Sequence, residues 1–451
     1  QDNGVVRSFR RACTEQWHEL FGGDGGYVAI DPTDNDTIYA GTQNFGSISR
    51  VRYDPGAGIE SAANINSGLG PDSGLFITPM AMDPSDPSVL WTAGQRPWRT
   101  VNADAADPAG VVWEAAGPNF NYPGVPPQFD ILARVSAIAV APSDPDIVYM
   151  GFEDGWMART ENGTDAAATV EWTIFPSGLP IESGYISSVA VDPDDPDVIW
   201  VTNSRFTSTG SFGHVFRGAF NPDTGPGMTP GVDLSFEFKV FDGVDCDPDD
   251  GFDPVLPDVP VHWVTLRKCS SGDCDTGNCL IFIGTEIGVF VSDDAWLIDE
   301  DCDPDGDGGL PPSDKVSWYY VNIPGLVPEE GNILPRAIVE TIDLRDPNTL
   351  VAFTHGRGAF IADITRLCSG VPEGEPCSPA DIVKPFGTLD AADLTAFIVR
   401  YGLVFNPLAD VGDQRFTIDM PAFGSQDECG NGIIDLQDLT SFLQWHSAGC
   451  P

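Results

Sequence analysis

Val28-Ala29-Ile30-Asp31-Pro32, closely followed by Thr37-Ile38-Tyr39-Ala40-Gly41, decides the fold, because near copies of this pair recur along the chain. Each copy has two apolar segments that alternate with period two, which is typical of β-strands, and a turn between them that usually contains Asp-Pro. Proline ends the first strand because it has no amide donor for a further ladder bond. The copies follow Val28–Gly41 at Met80–Trp91, Ile138–Tyr149 and Val189–Trp200, then in degenerate form at Trp263–Gly284 and Glu340–Ala352.

Four short strands in each repeat of about 52 residues predict the blades of a β-propeller. A single blade cannot bury both of its faces, so the six repeats need one another. The sequence therefore predicts an all-β, six-bladed β-propeller over residues 1–367. We expect Gln16–Leu20 to supply the outermost strand of the sixth blade and so to close the ring. The aromatic residues of the repeat should lie in the core: Tyr39, Trp91, Tyr149 and Trp200.

The charge excludes some classes of partner. The chain has 68 acidic and 22 basic residues, for a formal net charge of −46, so it repels nucleic acid and anionic membranes. No apolar stretch approaches the roughly 18 residues that a membrane span needs. Ten cysteines without paired C-x-x-C spacing favour disulfides over zinc. We therefore expect a mature, secreted protein, extracellular or at the cell surface.

Two acidic loops predict calcium sites. In an EF-hand-like loop alternate carboxylates converge on one ion. That spacing nominates Asp303, Asp305, Asp307 and Asp314, although a solvated acidic loop remains the alternative. The stretch around Cys246 repeats the acidic stretch around Cys302, so we predict a disulfide between these two cysteines, with calcium offsetting the repulsion between their loops.

A different composition follows the propeller. Residues 368–379 are a short linker, and a helical period begins in residues 380–451. A second 12-residue calcium loop has its expected ligands at Asp427, Asn431, the Ile433 carbonyl, Asp435 and Asp438. Cys429 replaces one oxygen ligand and weakens this site. The flanking cysteines suggest a terminal clasp between Cys377 and Cys450.

The repeat resembles the Asp-box propellers, which include sialidases, sortilin-like domains and xyloglucanase-type glycoside hydrolases. The resemblance is strongest at Ile283–Ser292 and Thr354–Phe360, with remnants of the box itself at Thr160–Gly163, followed by Trp172, and at Ser292–Trp296. Residues 380–451 are similar to a degenerate dockerin-like EF-hand module. That second resemblance implies docking to a partner at a cell surface.

The sequence contains no recognisable set of catalytic residues. A sialidase-type site would need clustered arginines, and a glycoside hydrolase a pair of facing carboxylates. The available arginines are Arg96, Arg99, Arg134 and Arg205, and no carboxylate pair stands out among so many. We therefore expect a non-catalytic protein, with a glycoside hydrolase kept as an alternative.

A structural, self-assembling subunit of an extracellular filament or sheath is the leading interpretation. It rests on the disulfides, the calcium loops and a terminal module through which copies could join into a homo-oligomer or polymer. The alternative is a surface-anchored propeller that binds glycan or protein ligands. Its candidate stacking residues for sugars are Trp98, Trp156 and Trp296.

Overall fold

The computed structural model describes residues 4–8, 17–54, 58–120, 134–175, 184–206, 214–220, 236–240, 256–268, 279–292, 318–321, 337–364 and 367. The linker 368–379 and the module 380–451 lie outside these residues. Apart from two 3₁₀ turns, Pro108–Gly110 and Ala167–Thr169, the regular elements described are β-strands. Within the same residues, no helix has the length and apolarity needed to cross a membrane.

The strands form small antiparallel sheets in which chain order is spatial order. A two-stranded sheet contains β1 (Val5–Ser8) and β2 (Trp17–Phe21). Sheet 1 contains β3 (Gly25–Ile30), β4 (Thr37–Thr42), β5 (Ile48–Asp54) and β6 (Gly58–Asn64). Sheet 2 contains β7 (Met80–Met82), β8 (Leu90–Ala93), β9 (Pro97–Thr100) and β10 (Glu114–Ala115). Sheet 3 contains β11 (Val135–Val140), β12 (Val148–Phe152), β13 (Met157–Thr160) and β14 (Thr173–Phe175).

The later repeats follow the same plan. Sheet 4 contains β15 (Ile186–Val191), β16 (Val198–Asn203), β17 (Val215–Phe220) and β18 (Phe236–Val240). Sheet 5 contains β19 (Val261–Lys268), β20 (Cys279–Thr285), β21 (Gly288–Ser292) and β22 (Tyr319–Tyr320). Sheet 6 has three strands, β23 (Val339–Asp346), β24 (Thr349–Thr354) and β25 (Gly358–Asp363). Small four-stranded antiparallel sheets of this kind are consistent with a propeller.

The chain divides into two compact units. The first comprises Gln1–Arg205 with Arg217–Phe238, and the second comprises Phe206–Phe216 with Lys239–Pro451. Sheets 1 to 3 belong to the first unit, and sheets 5 and 6 belong to the second.

Apolar cores between neighbouring sheets hold each unit together. Tyr39 of sheet 1 and Trp91 of sheet 2 are at most 1% exposed, as are Tyr149 and Trp200 in the later repeats. The prediction that these four aromatic residues are core is confirmed. One cluster joins sheets 1 and 2, a second joins sheets 2 and 3, and a third joins sheets 5 and 6. Stacking thus buries the faces that one small sheet cannot bury alone.

The Asp-Pro turns lie where the first strand of a sheet ends and the second begins, which we call the lower edge. Asp31 is buried, and its Oδ1 accepts hydrogen bonds from the Thr33 amide at 2.8 Å and the Asp34 amide at 3.2 Å. Asp83 and Asp192 repeat the arrangement, with 2.8 Å to the amide two residues later in each case. These carboxylates hold the turns, as the sequence predicts.

The N-terminal strand is placed differently from the prediction. Residues Trp17–Phe21 pair with Val5–Ser8 in the separate two-stranded sheet, so the expected addition of Gln16–Leu20 to the sixth sheet is wrong in this structure. The physical reason is burial, because Val5 and Leu20 pack on Ile38, Ala40, Val51 and Tyr53 of sheet 1. The β1–β2 sheet thereby covers one face of strands β4 and β5.

Buried arginines on the third strands join neighbouring sheets. Arg50 donates to the Ala103 carbonyl at 2.7 Å, and Arg99 donates to the Asp165 carbonyl. Arg159 forms an ion pair with Asp197. Each arginine lies opposite an aromatic residue of the second strand in its own sheet, namely Tyr39, Trp91 and Tyr149. The arginine recurs opposite the aromatic residue in three successive sheets, which is a signal of these contacts in the sequence itself.

Two tryptophans make the reverse contact, from one sheet back to the preceding one. The Trp172 indole donates to the Ala116 carbonyl at 2.7 Å, and the Trp113 indole donates to the Ile65 carbonyl. Each follows a tight Thr-x-Asn turn, in which the hydroxyl of Thr160 lies 3.0 Å from the amide oxygen of Asn162. The Thr100–Asn102 turn has the same geometry at 2.9 Å. The remnant at Thr160 is therefore a structural turn that occurs twice.

Candidate functional site

The predicted calcium and disulfide residues lie outside the part of the chain that the structure describes. This holds for Asp303, Asp305, Asp307, Asp314, Asp427, Asn431, Ile433, Asp435 and Asp438, and for Cys246, Cys302, Cys377 and Cys450. Among the described residues, no group of three or more His, Cys, Asp or Glu side chains could hold a metal ion. Calcium binding therefore stays a prediction. Cys279 is the one cysteine described, and it is disulfide-bonded.

The functional candidates of the first unit lie at the upper edge of its sheets, where the first strand begins and the second ends. In sheet 3 this edge is marked by the pairing of Val135 with Phe152. Arg134 and Glu153 are the next residues outward. The Arg134 Nε is 2.9 Å from Glu153 Oε1, and its Nη2 is 2.6 Å from Oε2. The Arg134 amide also donates to Oε1 at 3.1 Å, which fixes the carboxylate in place.

The two charges of this pair stabilise each other. The hydrogen bonds to Glu153 raise the pKa of Arg134 above its ordinary value, with smaller contributions from the charges of Glu153 and Tyr185. Burial acts to raise the pKa of Glu153, but the hydrogen bonds and charge of Arg134 outweigh it and lower that pKa. The pair is therefore ionised and locally neutral. Both side chains keep part of their surface in water, 37% for Arg134 and 25% for Glu153.

Tyr185 lies at the upper edge of the adjacent sheet 4. Its backbone carbonyl accepts a hydrogen bond from the Ser204 amide at 3.2 Å, and its aromatic side chain is exposed. The next residue, Ile186, packs directly on Gly151 of sheet 3, where a Cβ would lie 2.4 Å from Ile186 Cγ2. Ser136 of sheet 3 also donates to the Ile186 carbonyl at 2.7 Å. Sheets 3 and 4 therefore approach closely at this edge and bring Tyr185 near the Arg134–Glu153 pair.

Asp154 completes this edge. Burial raises the pKa of its carboxyl above the ordinary value, while the hydrogen bond from the Trp156 amide at 3.3 Å partly opposes the shift. Arg134, Glu153, Asp154 and Tyr185 thus place two carboxyl groups, one guanidinium and one phenol ring at one edge. We call these four residues the upper-edge site.

The other residues nominated from the sequence have structural contacts. Trp98 is 6% exposed and donates its indole proton to Asp72 at 3.0 Å, so the expectation that it is an exposed sugar platform is wrong. Trp156 packs on the core between sheets 2 and 3, and Trp296 lies outside the described residues. Arg99 is buried between sheets, and Arg96 lies over the Trp98 ring at 5.9 Å. Arg99 and Arg134 each have their own partner, so these two do not form part of a shared arginine cluster.

In the second unit, the upper edges carry histidine–carboxylate pairs. His262 is 3.4 Å from Glu286 in sheet 5, and His355 is 2.9 Å from Glu340 in sheet 6. A third histidine, His214, lies 3.2 Å from Asp258. No local spacing in the sequence indicates these pairs, because the two residues of each pair lie 15 or more positions apart along the chain.

One sheet face in the first unit is only partly covered. Val28 pairs with Ala40 and Ile30 with Ile38, and residues opposite each other on paired strands point to the same face. The β1–β2 sheet covers Ile38 and Ala40, but Val28 is 47% and Ile30 is 52% exposed.

The covering β1–β2 sheet has its own apolar outer surface. Val6 and Trp17 are 42% and 46% exposed. We call Val6, Trp17, Val28 and Ile30 the open face.

Comparisons with known proteins give distant similarities of shape. No protein-family model matches the chain, and no curated protein does. Among solved structures, U3-55K is 9% identical with a TM-score of 0.41, and the match covers 79% of each chain. PorZ, a surface component of the type-IX secretion system of Porphyromonas gingivalis, is 15% identical with a TM-score of 0.44 over 77% of this chain and 42% of that one. An auxiliary nutrient-binding protein from Bacteroides thetaiotaomicron is 10% identical with a TM-score of 0.42, over 76% and 68% of the two chains.

Proposed function

We propose that the chain is a non-catalytic, secreted structural subunit that self-assembles at or outside the cell surface. In this proposal its repeats are the blades of a six-bladed propeller whose ring does not close on sheet 1 within one chain, and disulfides and calcium stabilise the assembly. The observation that carries the proposal is the open face of the first unit. The disulfide at Cys279 supports an oxidising, extracellular setting.

The open face has the chemistry of an association surface. Large apolar side chains grouped on one face of a soluble protein commonly mark an interaction site. The sheet faces that form the three clusters between sheets are each covered by a neighbouring sheet. A further β-sheet with an apolar face is therefore the partner that fits Val28 and Ile30.

A second copy of the chain can provide such a sheet. In the second unit, Ile342 and Leu350 of sheet 6 face the core, whereas Phe353 points to the other face and is 41% exposed. A contact between unlike surfaces of two copies repeats from copy to copy, so it generates a ring or a filament. A stable contact of this kind buries about 1,200–2,000 Å² of accessible surface, summed over the two copies.

The charge of the chain sets a condition on assembly. Two copies that each carry a formal charge of −46 repel each other, so close contact requires screening or bridging cations. Calcium is the fitting cation, because hard oxygen ligands such as carboxylates prefer it. Assembly should therefore depend on calcium and weaken when it is chelated.

Sedimentation velocity and electron microscopy of the full chain test the proposal. We expect regular polymers in calcium that dissociate in EGTA. Val28→Lys should abolish them, because it places a charge in the contact, while Val101→Lys should not. Val101 is the matched control, since it is a valine of similar exposure, 55%, outside the open face. Monodisperse single chains in calcium at high concentration would overturn the proposal, and unchanged polymers of Val28→Lys would remove the open face from it.

A further inference from the structure

The upper-edge site has no part in the assembly proposed above, and its composition suits a ligand. It combines an exposed aromatic ring, an ion pair with remaining hydrogen-bonding capacity and a partly buried carboxyl group. Arg134 uses Nε and one Nη2 proton on Glu153, so its remaining guanidinium protons can bond elsewhere. The Glu153 oxygens can accept further hydrogen bonds. We infer that Tyr185, Arg134 and Glu153 bind a neutral saccharide.

The aromatic ring determines the shape of the ligand. A tyrosine ring presents a flat apolar face with a polar tip, and aromatic side chains bury large areas at little entropic cost. Tyr185 is 37% exposed, whereas Trp98, at the upper edge of sheet 2, is 6% exposed. A pyranose ring has one face of C–H groups that packs on such a ring and a rim of hydroxyls that needs donors and acceptors. The Arg134–Glu153 pair provides both kinds of group beside the ring.

Charge selects a neutral ligand. Because the guanidinium and the carboxylate neutralise each other, the pair leaves no net charge for an ionic ligand to match. An anionic ligand would also approach a chain with a formal charge of −46, which raises the cost of binding. Neutral hydroxyl groups avoid both penalties and can still bond to the polarised pair.

The rigidity of the edge favours recognition. The Arg134 amide and side chain hold Glu153 from two directions, and the Glu153 amide donates back to the Arg134 carbonyl at 3.1 Å. Tyr185 is fixed through its carbonyl and through the tight contact of Ile186 with Gly151. Preorganised groups lose little freedom when a ligand binds.

A saccharide panel with a neutral, an anionic and a cationic arm tests the inference. The full chain is titrated with soluble neutral oligosaccharides, uronic-acid oligosaccharides and glucosamine oligosaccharides by calorimetry, with EGTA present to keep it unassembled. We expect binding to the neutral saccharides, with the same affinity at about 0.05 M and about 0.5 M NaCl, because the roughly threefold change in screening length should not affect an uncharged ligand. Tyr185→Ala should weaken this binding at least tenfold, about 1.4 kcal/mol.

Matched variants separate stacking from folding. Tyr185→Phe should bind nearly as wild type, because the ring is retained. Glu153→Gln should bind weakly, because it loses the charge that organises Arg134. Phe76→Ala is the control, since it removes an exposed aromatic, 49%, outside the upper-edge site. No binding to any neutral saccharide, binding only to a charged arm, or full binding by a folded Tyr185→Ala would overturn the inference. Absence of polymers in calcium, together with intact saccharide binding, would refute the assembly proposal alone.

Discussion

Arg159 is the side chain whose removal tests most directly how neighbouring sheets are held together. Its side chain is 4% exposed, and it forms ion pairs with Glu161 and with Asp197. Its guanidinium carbon lies 3.9 Å from the centre of the Phe220 ring. Arg159→Met keeps most of the apolar stem but removes the charge and all donors.

The expected loss follows from the exposure of the two acidic partners. Glu161 is 64% exposed, and exposed ion pairs contribute only about 0–1 kcal/mol. Breaking a fully buried pair costs about 3–5 kcal/mol, because it leaves an uncompensated charge. Asp197 keeps 32% of its side chain in water, so its cost lies below that range. We expect Arg159→Met to lower the free energy of unfolding by about 2–3 kcal/mol at pH 7.

The loss should depend on pH with a defined sign. Burial raises the pKa of Asp197, and the charge of Arg159 partly opposes this. Without Arg159, the folded-state pKa rises further above the unfolded value of about 3.9. The folded variant then binds the proton more tightly than the unfolded chain, so its stability increases as the pH falls through the folded-state pKa. The deficit relative to wild type should therefore be smaller at pH 5 than at pH 7.

Urea unfolding, followed by tryptophan fluorescence at both pH values, measures these differences. Both conditions lie above the sequence pI of about 4.1, which keeps the chain soluble. The matched variant Asp197→Asn should recover part of the loss in the Arg159→Met background, with a coupling energy of about 1–2 kcal/mol. A loss below about 0.5 kcal/mol, or a deficit equal at both pH values, would refute the reasoning.

Two further perturbations test the other contacts between elements. Trp172→Phe removes the indole donor to the Ala116 carbonyl and leaves that buried acceptor unpaired. We expect the free energy of unfolding, measured in urea or by heating, to fall by about 1–3 kcal/mol. An unchanged free energy of unfolding would show that the bond does not stabilise the fold. Glu153 has a lowered pKa, so its contribution to stability is present above the unfolded value of about 4.3 and is lost as the pH falls through the folded-state value. Glu153→Gln should therefore flatten the pH dependence of unfolding on the acid side, and an unaltered profile would contradict the proposed effect of Arg134.

Local patterns in the sequence identified the lower edge correctly. Asp31 and Asp83 recur next to proline, and each makes its hydrogen bonds within three residues. Contacts of such short range are visible in a single repeat. The burial of the core aromatic residues could be predicted in the same way, because Tyr39 and Trp91 occupy the alternating apolar positions of a strand.

The cross-sheet contacts were missed because they join residues far apart in sequence. Arg159 reaches Asp197 in the next repeat, and no spacing within one repeat indicates this pair. A charged residue in a strand normally indicates the face of the strand that is exposed to solvent. The signal that was available was the recurrence of an arginine opposite the aromatic residue in three successive sheets.

The placement of Trp17–Phe21 was wrong for a related reason. A strand-like segment at the start of a repeat array can pair with any free sheet edge or cover any open face. Its choice here depends on the burial of Leu20 against Tyr53 and its neighbours, which only the assembled sheets define. The predicted calcium loops and disulfides are a different case, since they lie outside the described residues and remain predictions.

The repeats themselves indicate which edge carries function. The lower edge is nearly the same in sheets 1, 2 and 4, where Asp31, Asp83 and Asp192 hold the turn, and sheet 3 keeps the same turn with Ala141 at this position. The upper edge differs from sheet to sheet, since the residue after the second strand is Glu153 in sheet 3 and Ser204 in sheet 4. Positions that vary among units of one architecture are free of the constraint that maintains the fold, and loops with that freedom commonly carry binding sites. A ligand site is therefore expected at the upper edge.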